Sequence, residues 1–234
     1  MTKKNNSLVD FIESSPLLSV CDKKWIDFIL ERKTIFHIKK KQFVFSEKEK
    51  VLGVYFVCKG LVKVFKNGIG DKCQIIRFSK KGNIIGHRGW NKEFMPISAV
   101  AVEDSDILMI STEDFTTLLE NNPKLTYTFL EFFSEELYQS ENKMKNLSLM
   151  NIHEKLADSL LYLENKFGVN KKNQIDIVLS RKDLADFAGI SEKQVSKILS
   201  EWAFEKILIL EKKNISILQK KYLQELLKGK IIAH

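Results

Sequence analysis

The stretch 179–202, LSRKDLADFAGISEKQVSKILSEW, constrains the fold most, because it reads as two short helices held at an angle by a glycine turn. Ser180 is an N-cap with Asp183 three residues on, and Leu184, Ala185 and Ala188 make the buried side of a first helix. Gly189 ends that helix, Ile190 plugs the corner, and Ser191 with Gln194 makes a capping box that opens a second. Val195, Ile198, Leu199 and Trp202 then fall at i, i+3, i+4 and i+7, which defines a core face. On the opposite side Lys193, Ser196, Lys197 and Ser200 repeat the spacing. A solvated surface helix would look similar, but a partner helix and turn in this arrangement make a helix-turn-helix, whose second helix enters a major groove by its N-terminal half. The residues expected at the DNA are therefore Ser191, Glu192, Lys193, Gln194, Ser196, Lys197 and Ser200, with Arg181 and Lys182 positioning the duplex through phosphate.

The residues after this motif support a winged form. Two short apolar runs, 207–210 and 215–218, flank a turn carrying Lys212, Lys213 and Asn214, and a basic helix is expected over 220–230. Lys212 and Lys213 of the wing are expected on phosphate. Upstream, 8–32 has a helical period broken at Pro16, and from Ile35 the period changes to two: FHI, QFVF, VYFVC, LVKVF, CQIIRF, ISAVAV and ILMI. Short strands between Gly-, Asn-, Asp- and Lys-rich turns predict an antiparallel roll. Lys59-Gly60, the tip Asn67–Asp71 and Lys81-Gly82-Asn83 are the expected turns.

Ser111 and Asp114 open a short helix, and Pro123 opens a long one. Leu130, Phe133, Leu137, Met144 and Leu147 keep heptad spacing along it and are the expected dimer seam, while Leu125, Phe129 and Phe132 can satisfy the roll. The expected fold is α+β, in three parts: a sensing β-roll over 1–121, a dimerisation helix over 122–148, and a winged helix-turn-helix over 149–234. At 234 residues the chain is long enough for two cores.

A balance of 38 Lys+Arg against 30 Asp+Glu, +8 net, favours an anionic partner. Cys21, Cys58 and Cys73 form no C-x-x-C pair, so neither a disulfide framework nor a zinc ribbon is supported, and a reducing cytoplasm is the expected setting. The first residues carry no apolar run after their lysines, and no stretch is long and apolar enough to predict a membrane span. Enzyme chemistry on a β-roll would need clustered ligands such as H-x-H, which the sequence lacks, as it lacks a nucleophile motif or a Walker loop. No metal site is expected.

The order roll, long helix, winged helix resembles the Crp/Fnr family of bacterial transcription regulators. The resemblance is carried by YFVCKGLVKVF, KKGNIIGH, SAVAVEDSDILMI and RKDLADFAGISEKQVSKIL, and spans nearly the whole chain. It implies a homodimer that reads a two-fold symmetric double-stranded site and acts on RNA polymerase, under control of something bound in the roll. Departures narrow that implication. Where cyclic-AMP-binding relatives carry Glu after the roll's glycine, Gly86 is followed by His87, and the Arg expected for the cyclic phosphate falls near Met95-Pro96. Cyclic AMP is therefore not the expected effector, because its phosphate would lack its usual cation, for which Arg88 nearby is the one substitute.

The effector pocket is expected around Gly86, His87, Arg88, Trp90 and Ser98, and the effector itself is not implied. Iron–sulfur sensors of the family need an N-terminal cysteine cluster that Cys21 alone does not supply. Haem remains open through His37, His87 or His153. Redox sensing by Cys58 or Cys73, and a ligand-independent DNA-binding protein, are the other readings. At Glu192, Lys193, Gln194 and Lys197 the chain also departs from the family's Arg-Glu-Thr and Arg, so the half-site sequence does not carry over.

Overall fold

The computed structural model describes residues 3–70 and 72–229; Asp71 of the expected hairpin tip and Lys230 of the expected last helix lie outside the described residues. The chain divides into two compact units, Met1–Gln139 and Ser140–His234.

In the first unit, α1 (Lys3–Ser14) and α2 (Lys23–Arg32) are separated by a turn at Pro16 and a short 3₁₀ segment. Asp22 caps α2 by accepting from the Trp25 amide at 3.3 Å. Eight strands come next: β1 (Thr34–Ile38), β2 (Phe43–Phe45), β3 (Gly53–Lys59), β4 (Leu61–Asn67), β5 (Cys73–Lys80), β6 (Ile84–Ile85), β7 (Ser98–Ala101) and β8 (Ser105–Ser111). They form two antiparallel four-stranded sheets, ordered β1-β8-β3-β6 and β2-β7-β4-β5. Only β6 lies outside the expected strands, since two residues are too few to show a period.

Strand β3 shows what organises this unit. Its alternate residues point to opposite faces, and both faces are apolar. Tyr55 and Val57 join Val62, Val64, Ile85, Ala99 and Ile107 inside the roll. Val54 and Phe56 turn outward and meet α1, α2, α3 (Thr112–Asn121) and α4 (Pro123–Leu149) through Phe11, Ile29, Phe115, Leu118, Leu125 and Phe129. Burying Phe56 and Phe115 fully contributes roughly 1.5–3 kcal/mol each. The β3–β4 turn needs its glycine, because Gly60 has φ +87° and a Cβ there would meet the Asp104 carbonyl oxygen at 2.6 Å.

Helix α4 continues into the second unit, which adds α5 (Ile152–Phe167), α6 (Arg181–Ala188), α7 (Glu192–Phe204), β9 (Leu208–Glu211), β10 (Asn214–Ile217) and α8 (Lys220–Leu226). Its core is drawn from Leu156, Leu160 and Leu163 of α5, Leu184 and Phe187 of α6, Val195, Leu199 and Trp202 of α7, and Leu223 of α8.

The wing strands differ by one residue from the expected runs. Asn214 pairs with Glu211, leaving a two-residue turn in which Lys212 takes φ 58°, so Asn214 belongs to a strand and not to the tip. Helix α8 ends at Leu226 rather than 230, since the chain turns at Leu227 and Gly229 is left-handed at φ 66°. A segment before the helix-turn-helix also docks on the wing, where the Ile175 amide donates to the Ile215 carbonyl at 2.9 Å.

Candidate functional site

The helix-turn-helix is built from local bonds. The Ser180 hydroxyl accepts from the Asp183 amide at 3.0 Å and opens α6. Gly189, at φ 71° and ψ 37°, donates to the Ala185 carbonyl at 2.8 Å, and Ile190 donates to the same oxygen at 3.2 Å. Ser191 then caps α7, its hydroxyl accepting from the Gln194 amide at 3.2 Å while the Gln194 side-chain oxygen accepts from the Ser191 amide at 2.9 Å.

This leaves α7 two-faced. Val195, Ile198, Leu199 and Trp202 are buried, whereas Ser191, Glu192, Lys193, Ser196, Lys197 and Ser200 are exposed. Gln194 is half-buried and its oxygen is held by the cap, so only its amino group is open to a base edge. The Ser200 hydroxyl donates back to the Ser196 carbonyl at 2.9 Å, and Lys197 lies 3.7 Å from Glu201, an exposed pair easily exchanged for another partner. Lys182, Lys212 and Lys213 are exposed; Arg181 is half-buried, and burial pushes its pKa down.

Sequence reasoning misses Lys143, a residue of α4 that positions this motif. Its ammonium donates to the Phe187 carbonyl at 2.7 Å, satisfying a C-terminal oxygen of α6, and sits 3.6 Å from the centre of the Phe187 ring. Burial pushes its pKa down to about 8, against the opposing pull of Asp158. Nearby, the Asn146 amide donates to Asp158 at 3.3 Å. No spacing rule reaches across such a contact.

The expected seam is only partly a free stripe. Leu130, Leu137 and Met144, seven apart, are 67, 62 and 68% exposed. Phe133 instead packs against Phe129 and His87, with ring centroids 4.8 and 5.3 Å away. Leu125, Phe129, Phe132 and Phe133 stand at i, i+4, i+7 and i+8, so Phe133 completes the roll-facing stripe. Leu147 is half-buried beside Lys143, Met150 and Ala188.

The expected effector residues do not share one wall. Gly86 takes φ 78°, and a Cβ there would meet the Tyr55 ring at 2.9 Å. The Ser98 hydroxyl is buried and accepts from the Glu47 amide at 2.9 Å. Trp90 packs edge-on to Phe115 and Phe129 and donates to Thr116 at 3.1 Å, which makes it core in the helical layer.

His87 and Arg88, by contrast, are brought together on Glu136 of α4, with Arg77 of β5 as a third member. Arg77 Nη1 donates to Glu136 Oε1 at 2.6 Å and Arg88 Nη2 to Oε2 at 3.2 Å. Arg77 Nη2 donates to the Ile84 carbonyl at 2.8 Å and lies 3.4 Å from His87 Nδ1. The pKa of Glu136 would be raised by burial, but His87, Arg77 and Arg88 outweigh that and hold it at about 2. Burial, first of all, pushes His87 down to about 4; Glu136 opposes this while Arg77 and Arg88 add to it. The imidazole is neutral near pH 7. Arginine only donates, so His87 Nδ1 accepts and the proton sits on Nε2, 3.6 Å from Glu136 Oε2 and without a hydrogen-bond partner.

Two of the three thiols, Cys21 and Cys58, do not fit a sensor built on cysteine. Burial pushes Cys21 and Cys58 each up to about 11, far from thiolate at neutral pH, and no group of three or more His, Cys, Asp or Glu side chains among the described residues could hold a metal ion. An iron–sulfur cluster therefore does not match this donor set. His37 bonds Asp106 at 2.6 Å on the surface, and His153 packs near Trp202 in the second unit. Among the described residues no helix is long and apolar enough to cross a membrane.

Comparison with known proteins agrees with this geometry. Residues 35–122 match the cyclic nucleotide-binding domain model and residues 154–226 the Crp-like helix-turn-helix domain model. The transcriptional activator protein anr of Pseudomonas aeruginosa is 26% identical over 203 residues, 86% of this chain and 82% of that protein. The anaerobic regulatory protein of Bacillus subtilis is 26% identical over 189 residues, 79% of each. The structure of FixK2 from Bradyrhizobium japonicum superimposes with a TM-score of 0.75 at 21% identity, covering 86% of this chain and 99% of that one.

Proposed function

Because the chain belongs to the Crp/Fnr family of transcription regulators, we propose that it reads a two-fold symmetric DNA site as a homodimer, gated by an effector held in its first unit. The protein is a DNA-binding transcription regulator, as its relatives are, and not an enzyme. The reading rests on the exposed stripe of α7, Lys193, Ser196, Lys197 and Ser200, backed by a fully buried one. Glu192 accepts from a cytosine amino group, the Gln194 amino group donates to a base edge, and Lys193 or Lys197 donates to guanine or phosphate. Arg181, Lys182, Lys212 and Lys213 hold the phosphates and fix register.

Dimerisation runs along α4, where Leu130, Leu137 and Met144 would otherwise stay in water. Two copies then present α7 to successive major grooves about 34 Å apart. RNA polymerase is the partner through which the bound dimer acts, and the cytoplasm is its setting. Cyclic AMP is not the effector in this reading, because His87, in the place of the ribose-binding carboxylate, is enclosed by Arg77, Phe132 and Phe133.

Selection from a random-sequence DNA library tests the reading. The expected outcome is an enriched site with two-fold symmetry; an asymmetric site overturns it. Leu137→Glu with Met144→Glu is expected to give monomers in sedimentation. A wild type already monomeric at micromolar concentration would break the seam assignment.

A further inference from the structure

Two guanidinium groups and a buried imidazole converge on a single carboxylate, and that carboxylate belongs to the helix that carries the dimer stripe. Glu136 Oε1 is taken by Arg77, while Oε2 faces both Arg88, at 3.2 Å, and His87 Nε2, at 3.6 Å. A planar carboxylate has two oxygens for three donors. The His87 N–H meets Oε2 only at 3.6 Å, beyond an ordinary hydrogen bond and on an oxygen already taken by Arg88, although the side chain is fully buried, and a poorly paired buried donor is costly. A tetrahedral oxyanion supplies one oxygen to each donor. Arginine forks match phosphate oxygens as well as they match carboxylates. Glu136 keeps 18% of its side chain exposed and Arg88 29%, so a path exists for one anion to leave as another enters.

We propose that Arg77, His87 and Arg88 form an anion site, occupied here by the side chain of Glu136, that takes the phosphate group of a small effector in its place. The site rests on the effector-gated reading of the protein and gives its effector a chemical class: free phosphate or a phosphomonoester. Binding breaks the ion pairs of Glu136 with Arg77 and Arg88 and turns its carboxylate to solvent, so that α4 loses its clamp at one turn. The same helix carries Leu130, Leu137 and Met144 on its exposed stripe, which couples occupancy of the site to the dimer seam. Neutral His87 is a donor in this site and needs no proton from solvent.

Calorimetric titration of the full-length protein with inorganic phosphate, and separately with glycerol 3-phosphate, at constant ionic strength tests the site. Glu136→Gln removes the competing charge and is expected to bind at least tenfold more tightly than wild type, and Arg77→Gln added to it is expected to abolish that gain. Acetate should show no such gain. Equal affinity in wild type, Glu136→Gln and the double variant would overturn the proposal, because phosphate would then be sitting on surface lysines. Should Glu136→Gln not fold, Arg88→Gln decides: the rise in melting temperature that phosphate gives the wild type over chloride must disappear, and its persistence overturns the site. Stronger heat from glycerol 3-phosphate than from phosphate identifies a monoester as the source. DNA affinity, read separately by anisotropy, distinguishes failure of the regulator reading from failure of this site.

Discussion

The α7 surface and the Glu136 cluster both consist of charged side chains, yet they are held in opposite ways. Lys193 and Lys197 stand in water on a helix whose other face is buried, and every bond that shapes their backbone lies within a few residues. Arg77 and His87 are withdrawn from water and Arg88 partly so, and their partner Glu136 is 59 residues from Arg77 and 48 from Arg88 in sequence. Exposed charges are cheap to hold and free to act on a ligand. Buried ones must be matched where they stand, so the fold itself depends on them. Stability and recognition should therefore separate cleanly between the two regions.

The largest expected effect comes from that contrast. Glu136→Ala leaves Arg77 almost buried without its anion and is expected to cost about 3–5 kcal/mol of stability. Lys193→Ala should stay within about 0.5 kcal/mol of wild type. Urea unfolding of both variants measures the difference, and similar midpoints would break the contrast.

The second prediction concerns pH. The folded pKa of His87 is pushed down to about 4 from an ordinary value near 6.5. As pH falls below 6.5 the unfolded chain takes up a proton that the folded protein refuses until about 4. Stability contributed by the neutral imidazole is thus present above 6.5 and lost across that window, on the order of 3 kcal/mol in all. Glu136, held down at about 2, adds stability above its ordinary pKa that is lost only as pH falls toward 2. In His87→Gln the slope of stability between pH 6.5 and 4 should flatten, and an unchanged slope would show that the ring is not withdrawn from water.

The same difference decides how much of each region is legible in the sequence. Ser180, Gly189, Ser191 and Gln194 advertise caps and turns because the groups they satisfy are neighbours in sequence. Strands β3 and β8 are legible as short apolar runs bounded by turn residues, although β3, apolar on both faces, shows no alternation. Arg77 and Glu136 give no signal, since a charged residue in a strand or a helix looks like any solvated one until the fold brings the two together. Lys143 is hidden for the same reason, its target being a backbone carbonyl 44 residues away. Heptad spacing assigns Phe133 to the seam because it does not distinguish a residue at the edge of the roll-facing stripe from one beyond it. Lys143→Met tests the intermediate case, a buried charge serving the DNA-reading motif. Losing the α6 carbonyl bond and the contact over Phe187 should cost about 1–3 kcal/mol of stability in the second unit and weaken DNA binding with it.

The smallest effects are expected on the exposed side, and there base reading and phosphate positioning should come apart. Lys197 stands on the exposed stripe of α7, with only a solvent-exposed partner in Glu201 to give up, so in the proposed complex its ammonium is available to a base edge. Lys213 stands at the tip of the wing beside Lys212, whose left-handed backbone at φ 58° turns the hairpin tightly, so in the proposed complex it reaches the backbone of the duplex and no base. Lys197→Ala is then expected to cost about 1–3 kcal/mol at the preferred site and to relax preference at one base pair. Lys213→Ala should weaken preferred and random sequences by the same factor and reduce the slope of log affinity against log salt by about 1, because one fewer counterion is released. Neither substitution should move the unfolding midpoint, since both side chains are already in water. Anisotropy titrations on the selected site and on a scrambled duplex, each at several salt concentrations, separate the two outcomes: a sequence-dependent loss in Lys213→Ala would place the wing in a groove and move base reading beyond α7.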